Sequence, residues 1–292
     1  MNHILKKLLE IERAKDNFNL EFIIKENSLI INDLVYCHEA LSESKKKSPE
    51  WLVYSDTLMS KIFFHANTLN NIARGLPIVI SSYNISKPIV DVNSAYVVER
   101  ALIESVLMYN LIYIIPKTAE EKEYNFNVWM YSSLIDRQKF PAKSIQANAT
   151  KSKDLIAINS VFQQIEKSKY FSKLTQNQKD KIKNKGAHKI FNSWKQLIVL
   201  SGFKEEIENH YSFISIQAHS EALSVIQLKQ SSVEQKKIAI FSILNITCCI
   251  LSNLLLKIVK EHKVIEIKYN MLKLENMNRI QAYDLLCQRK AN

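Results

Sequence analysis

The stretch IAIFSILNITCCILSNLLL, residues 238–256, decides the fold class because it is the longest uncharged run in the chain. Its length and hydropathy meet the criteria for a membrane span, and lysines stand on both sides of it. A series of small or polar residues falls on one face of the helix that it would form: Ser242, Asn245, Cys249, Ser252 and Asn253. Such a stripe suits a helix buried in a bundle, so we predict a core helix of a soluble protein, with a membrane span as the alternative.

Helix boundaries are easy to recognise on the N-terminal side of this stretch. Three Ser or Thr residues are followed three positions later by Glu or Gln, which is the pattern of a capping box: Thr118 with Glu121, Thr175 with Gln178, and Ser232 with Gln235. Ser48-Pro49-Glu50 predicts the start of a helix that ends at Gly75, and Ser28 precedes another amphipathic segment. The sequence therefore predicts an all-α fold, a helical bundle with an N-terminal helical arm.

One segment, residues 77–92, has strand-like composition. Because proline donates no backbone hydrogen bond, Pro77 and Pro88 favour a crossing loop there. A helix is predicted to follow from residue 93 or 94 and to end at Ile115, just before a proline.

The chain divides into three predicted parts: a helical arm at 1–76, a helical bundle at 77–275 and a C-terminal tail at 276–292. Within the bundle, residues 139–195 are rich in lysine and have few acids, which indicates an insertion or a peripheral helical hairpin. Aromatic residues are interleaved with these lysines: Phe162, Tyr170, Phe171, Phe191 and Trp194. They would suit base stacking, and helix packing explains them equally well.

Composition excludes several classes of enzyme. The chain has three glycines, all isolated, whereas phosphate-binding loops need clustered glycines. A Walker loop, a dinucleotide-binding fingerprint and a G-x-S-x-G nucleophile elbow are therefore excluded. The four cysteines form no C-x-x-C pair, so we predict no zinc ribbon, no disulfide framework and no metal or cofactor.

The net charge indicates possible partners, and the N-terminal sequence indicates the location. The chain has 40 Lys+Arg against 29 Asp+Glu, a net charge of +11, which favours an acidic partner such as RNA or reflects solubility alone. Residues 1–13 mix Lys and Glu among leucines, unlike a signal peptide, so a cytoplasmic location is expected.

Two polar groups stand out as candidate site residues. Arg100 and Glu104 lie one helical turn apart among apolar neighbours, so each is expected to need a partner. Tyr211, Ser215 and His219 step by four, which predicts a line of two hydroxyls and an imidazole along one helix. Since His titrates near neutrality, His219 could move a proton, or it could be a buried His bonded to a carboxylate such as Glu104.

A third pair, Glu206 and His210, lies one turn apart on the same predicted helix. The two side chains could share a ligand, but a hydrogen bond within the helix is the simpler interpretation.

R-x-x-x-E on one helix, followed far downstream by Y-x-x-x-S-x-x-x-H-S, resembles the HEPN superfamily (higher eukaryotes and prokaryotes nucleotide-binding), and in particular its uncharacterised bacterial branches. The resemblance covers residues 64–115 and 211–257. It implies a helical bundle, commonly dimeric. Many members are metal-independent ribonucleases of toxin–antitoxin, phage-defence or RNA-processing systems.

The family's signature is an arginine followed by a histidine after four to six residues. The arginine holds the scissile phosphate, and the histidine assists proton transfer during attack by the ribose 2′-OH. This chain has no arginine between Gly202 and His219, and Ser212 stands where one would fit. Arg100 could act in its place from another helix. The resemblance thus implies two groups of site residues: Arg100, Glu104 and His219 in catalysis, and Tyr211, Ser215 and Ser220 in binding.

Two functions follow as expectations. One is a HEPN-like protein that binds or cleaves RNA, with a homodimer or a partner protein expected. The other is a non-catalytic scaffold or protein-interaction module, in which the same side chains form a buried polar network.

Overall fold

The structure is a computed structural model that describes residues 3–44, 49–80, 85–218 and 222–288. Within these ranges the chain forms fourteen helices and one small sheet, which confirms the predicted all-α class. The helices are α1 His3–Asp16, α2 Leu20–Ser44, α3 Glu50–Ala73, α4 Val92–Tyr109, α5 Ala119–Lys139, α6 Ile145–Lys167, α7 Lys169–Ser172, α8 Gln176–Lys185, α9 Trp194–Leu200, α10 Glu205–Gln217, α11 Ala222–Gln230, α12 Val233–Glu261, α13 Lys263–Asn270 and α14 Leu274–Cys287. A π-helical turn, Asn110–Ile114, continues α4, and the strands are β1 Leu76–Ile80 and β2 Ile85–Ile89.

Helix α12 contains the long uncharged run and lies at the centre of the bundle, in contact with α2, α4, α13 and α14. The Ser232–Gln235 capping box starts it as predicted. Among the described residues, α12 is the one helix long and apolar enough to cross a membrane, and 72% of its most apolar window is buried inside the protein. A core helix meets the same criteria of length and composition, so this burial agrees with the predicted core position.

The predicted crossing loop is instead an antiparallel hairpin of β1 and β2. The register places Pro77 opposite Pro88. Neither proline can donate a backbone hydrogen bond. Antiparallel strands alternate between hydrogen-bonded and non-hydrogen-bonded residue pairs, and a non-hydrogen-bonded pair accommodates two prolines without loss of a bond. The hairpin connects α3 to α4, which pack against each other over their length.

Other helix boundaries differ from the sequence prediction in instructive ways. Helix α2 begins at Leu20, eight residues before the predicted start, and Ser28 lies inside it with its hydroxyl donating to the Ile24 carbonyl at 2.8 Å. At α5, Thr118 caps the helix as predicted, but the Glu121 carboxylate accepts from the backbone N–H of Lys117. The predicted break at Lys45–Lys47 lies outside the described residues.

The Lys-rich segment contains α6, α7 and α8, which with α5 enclose a second, smaller hydrophobic cluster. Phe162 and Phe171 pack within this cluster, and Tyr170 stacks on Tyr124 of α5. Three of the interleaved aromatic residues are therefore committed to helix packing. Gly186 ends α8 with a positive φ of 63°, and a Cβ there would meet Ser132 of α5 at 2.5 Å.

The two ends of the chain meet in a buried ionic cluster. Arg279 of α14 lies 3.3 Å from Glu26 and 3.6 Å from Asp33, both on α2, and Lys7 of α1 lies 2.9 Å from Glu26. Burial raises the pKa of Asp33, although Arg279 opposes the shift. The predicted boundary of the C-terminal tail falls inside α14, whose Arg279, Ile280 and Tyr283 are buried. One face of this part of α14 therefore belongs to the core.

Candidate functional site

Helix α4 carries the first pair of predicted site residues. Asp91 caps the helix by accepting from the Ser94 backbone N–H. Two turns later, the Arg100 Nε donates to the Glu104 Oε1 at 3.0 Å, which is the predicted one-turn pairing. About a quarter of each side chain is exposed (26% for Arg100 and 27% for Glu104), so the pair lies at the surface of the bundle rather than inside it.

Helix α10 brings a third predicted residue to this pair. The Tyr211 hydroxyl donates to the same Glu104 Oε1 at 2.7 Å. Burial raises the pKa of Tyr211 to about 12, and its bond to Glu104 adds to the shift. Burial lowers the pKa of Arg100, but its interactions with Glu104 and Tyr211 outweigh that effect and raise it. Arg100, Glu104 and Tyr211 therefore form one cluster in which the guanidinium keeps its charge and the phenol keeps its proton.

Ser215 lies next to this cluster. The Ser215 hydroxyl donates to the Tyr211 carbonyl at 2.7 Å, and its side chain opposes the rise in the pKa of Tyr211. Helix α10 ends at Gln217. His219 and Ser220 lie outside the described residues.

A cleft of about 180 Å³ opens beside Glu104 between α3, α4, α5 and α9. Its wall includes one cation, Lys61, and two half-buried indoles, Trp129 and Trp194. Two aromatic faces, an ammonium group and a carboxylate thus surround a small opening. Indole faces suit a planar or cationic ligand group.

His188 is a site residue that the sequence interpretation missed. It lies in the segment between α8 and α9, with its ring centroid 6.2 Å from that of Trp194. Burial, followed by Lys189, lowers the pKa of His188, while Asp136 and Glu104 act in the opposite direction. The ring is therefore neutral at pH 7 and close enough to Glu104 to feel its charge. No local sequence pattern identifies it, because only the folding of this segment against α4 and α5 brings it here.

His210 does not pair with Glu206, contrary to the sequence interpretation. It reaches across to α4, where its Nε2 lies 2.8 Å from the Glu99 Oε2. Glu99 is fully buried, and burial raises its pKa although His210 opposes the shift. The contact is one of ion-pair distance, because neither Glu99 carboxylate oxygen has a hydrogen-bond partner of good geometry among the described residues. This acid–imidazole pair is adjacent to Arg100 in sequence but is enclosed between α4 and α10.

The cluster can bind an anion more readily than a metal ion. A guanidinium presents five N–H donors in a planar fork, which suits phosphate oxygens, and the Glu104 bond engages the donor on Nε. Within the described part of the chain, no group of three or more His, Cys, Asp or Glu side chains could hold a metal ion.

Comparison of the chain with protein-family models, with curated proteins and with solved structures finds no match. The resemblance to the HEPN superfamily thus remains a prediction based on the sequence motifs.

Proposed function

We propose that this protein binds single-stranded RNA, with the phosphate backbone at Arg100 and a base in the cleft beside Glu104. One observation carries the proposal: Trp194, at the end of the Lys-rich segment, and Glu104 of the Arg100 cluster line the same cleft. The Lys189 ammonium group lies 4.7 Å from the Trp194 ring centroid. A lysine of the segment therefore lies beside the cleft.

The charge of the Lys-rich segment supports a polyanionic ligand. Residues 139–195 contain only three acidic residues: Asp154, Glu166 and Asp180. Asp154 is buried and pairs with Arg137, so it contributes little negative charge to the surface. Three of the four lysines of α8 (Lys181, Lys183 and Lys185) are exposed. Neutralisation of RNA phosphates by such lysines releases condensed counterions and drives association.

Base stacking is assigned to the cleft rather than to the Lys-rich helices. Phe162 and Phe171 are packed in the second hydrophobic cluster and offer no open face. Trp129 and Trp194 line the cleft instead. Stacking of a base on an aromatic side chain contributes about 1–3 kcal/mol and tolerates any sequence, so we expect binding with little sequence preference.

A finer form of the proposal follows from the HEPN resemblance: metal-independent cleavage of the bound RNA, as in a toxin or a phage-defence ribonuclease. The described imidazole nearest to this chemistry is His188, whose lowered pKa leaves it neutral and able to accept a proton from a ribose 2′-OH. Arg100 would hold the scissile phosphate. Glu104 would orient Arg100 rather than contact the RNA.

A second candidate function is a non-catalytic interaction module. It is favoured by the Glu104 carboxylate, which already accepts from both Arg100 and Tyr211 and so is satisfied without a ligand. In that case the cluster would stabilise the contact between α4 and α10 and would contribute nothing to RNA affinity.

Fluorescence anisotropy with a labelled single-stranded RNA at several salt concentrations tests the proposal. Exchange of Lys181, Lys183 and Lys185 for Gln should flatten the slope of log K against log salt by about two, since each lysine contributes about 0.7. A control with the same loss of charge, Lys6, Lys260 and Lys273 to Gln, should leave the slope unchanged. Equal slopes for both variants would show that the α8 lysines do not contact the RNA, and no binding at low salt would refute RNA binding. Gel analysis of the same samples, incubated with a chelator, reports cleavage.

A further inference from the structure

The polar stripe on α12 has a role that the RNA proposal does not explain. Asn245 and Cys249, two residues of the stripe, line a separate cleft of about 220 Å³. Helices α1 and α10 form its sides, α12 its floor and α14 its far end. The Asn245 amide is one polar group on a lining that otherwise consists of charged and apolar side chains.

Charges of both signs surround this cleft. Lys204 and Glu206 enter it from the first turn of α10, and Lys15 and Glu12 from α1. Lys15 and Glu12 lie 3.8 Å apart and partly neutralise each other. Lys204 and Glu206, within the described ranges, have no opposite charge within 4 Å. One ammonium group and one carboxylate are thus available to a ligand that itself carries both charges.

The rest of the lining is apolar. Ile11, Ile207, Ile246 and Leu286 contribute aliphatic surface. The Cys249 thiol stays uncharged and adds to this apolar surface. Burial raises its pKa to about 12, despite the opposing effect of Lys204 and Lys15. Sites for drug-sized ligands occupy about 300–1,000 Å³, so the present volume suits a smaller molecule.

We propose that this cleft binds a free α-amino acid with an aliphatic side chain. The ligand carboxylate pairs with Lys204 at the positive end of the α10 dipole, and its ammonium group donates to Glu206. The side chain lies on the aliphatic floor. This site is separate from the Arg100 cluster, and the proposal is independent of RNA binding.

Isothermal titration of the full chain with L-leucine, L-isoleucine and L-methionine tests the proposal. Binding is expected for all three. The analogue that lacks the ammonium group, 4-methylpentanoate, and the analogue that lacks the carboxylate, 3-methylbutylamine, should bind at least about tenfold more weakly. L-glutamate and L-lysine should not bind, because the floor of the cleft offers no partner for a second charge.

Two variants of α10 make the test specific. Glu206→Gln should weaken L-leucine binding by about tenfold or more, because it removes a charge-assisted hydrogen bond. Glu205→Gln, at the exposed neighbouring position outside the cleft, is the matched control and should bind like wild type. The proposal is overturned by the absence of binding at millimolar concentrations of all three amino acids, by an analogue with one charge that binds as tightly as leucine, or by equal effects of the two variants.

Discussion

Arg279 and Arg100 each face carboxylates, yet their surroundings differ. Arg279 is buried with Glu26 and Asp33 and joins α14 to α2, whereas Arg100 and Glu104 lie at the surface with about a quarter of each side chain exposed. Removal of a partner from a buried ionic cluster strands a charge away from water, while a partly exposed pair loses little because water replaces the partner. The same chemical pair is therefore enclosed in the core at one site and partly exposed to solvent at the other.

A third pair, Glu99 and His210, adjoins Arg100 in sequence but resembles the Arg279 cluster in its burial. Glu99 precedes Arg100 on α4, yet its carboxylate is fully buried against His210. Two consecutive residues of one helix thus face the interior and the surface, respectively. Burial, and not the position along the chain, separates the structural residues from those proposed to contact RNA.

The largest expected effect is at Arg279. Arg279→Ala should lower the free energy of unfolding by about 3–5 kcal/mol, because Asp33 would remain buried without a cation and Glu26 would keep only Lys7. Urea denaturation measures this change. Glu275→Gln is the control, since Glu275 is an exposed partner 3.6 Å from Arg279, and it should change stability by less than about 1 kcal/mol. A loss below about 1 kcal/mol for Arg279→Ala would contradict the structural role of the cluster.

The second prediction concerns pH and Glu99. The raised pKa of Glu99 means that the native state keeps this proton to a higher pH than the unfolded chain, whose value is near 4.5. As pH rises above 4.5, the native state binds more protons than the unfolded state, so the contribution of Glu99 to stability falls. The fall is complete once the pH exceeds the pKa of Glu99 in the folded protein, because the carboxyl is then ionised in both states.

Glu99→Gln removes this contribution. The stability of wild type minus that of the variant should therefore decline between pH 4 and pH 7 in urea melts. Asp33 and Asp284, whose pKa values burial also raises, are present in both proteins, so their contributions cancel. A difference that stays constant or grows with pH would show that Glu99 is not held in its protonated form by burial.

The smallest expected change in stability is at Tyr211. Tyr211→Phe removes one hydrogen bond to a carboxylate that is already paired with Arg100, so it should cost about 0.5–1.5 kcal/mol. Tyr54→Phe, at an exposed phenol, is the control and should have no measurable effect. If Tyr211→Phe destabilised the protein as much as Arg279→Ala, the Arg100 cluster would contribute as much to stability as the buried Arg279 cluster, contrary to this account.

The sequence predicts the parts of this structure that depend on local chemistry. The Ser232–Gln235 box and the Arg100–Glu104 spacing act within about one helical turn, and the uncharged run of α12 is continuous in sequence; the structure agrees with each. The hairpin was mispredicted because the effect of Pro77 depends on its partner across the register, which is a non-local property.

The site was predicted only in part for the same reason. The Tyr211–Glu104 bond joins residues 107 positions apart, and only the packing of α10 on α4 brings them together. His210 has a carboxylate four residues away but pairs with Glu99 on another helix. His188 has no sequence pattern that marks it, and its place near Glu104 follows from the fold of the segment after α8.

The most direct test of the central claim compares Arg100→Gln with Arg13→Gln in RNA binding. Both variants lose one positive charge, and Arg13 is exposed on α1, outside the cluster. The account predicts that Arg100→Gln weakens RNA binding by about tenfold at constant melting temperature, whereas Arg13→Gln binds like wild type. Equal affinities for the two variants, in a protein that binds RNA, would contradict the claim that the Arg100 cluster contacts the RNA.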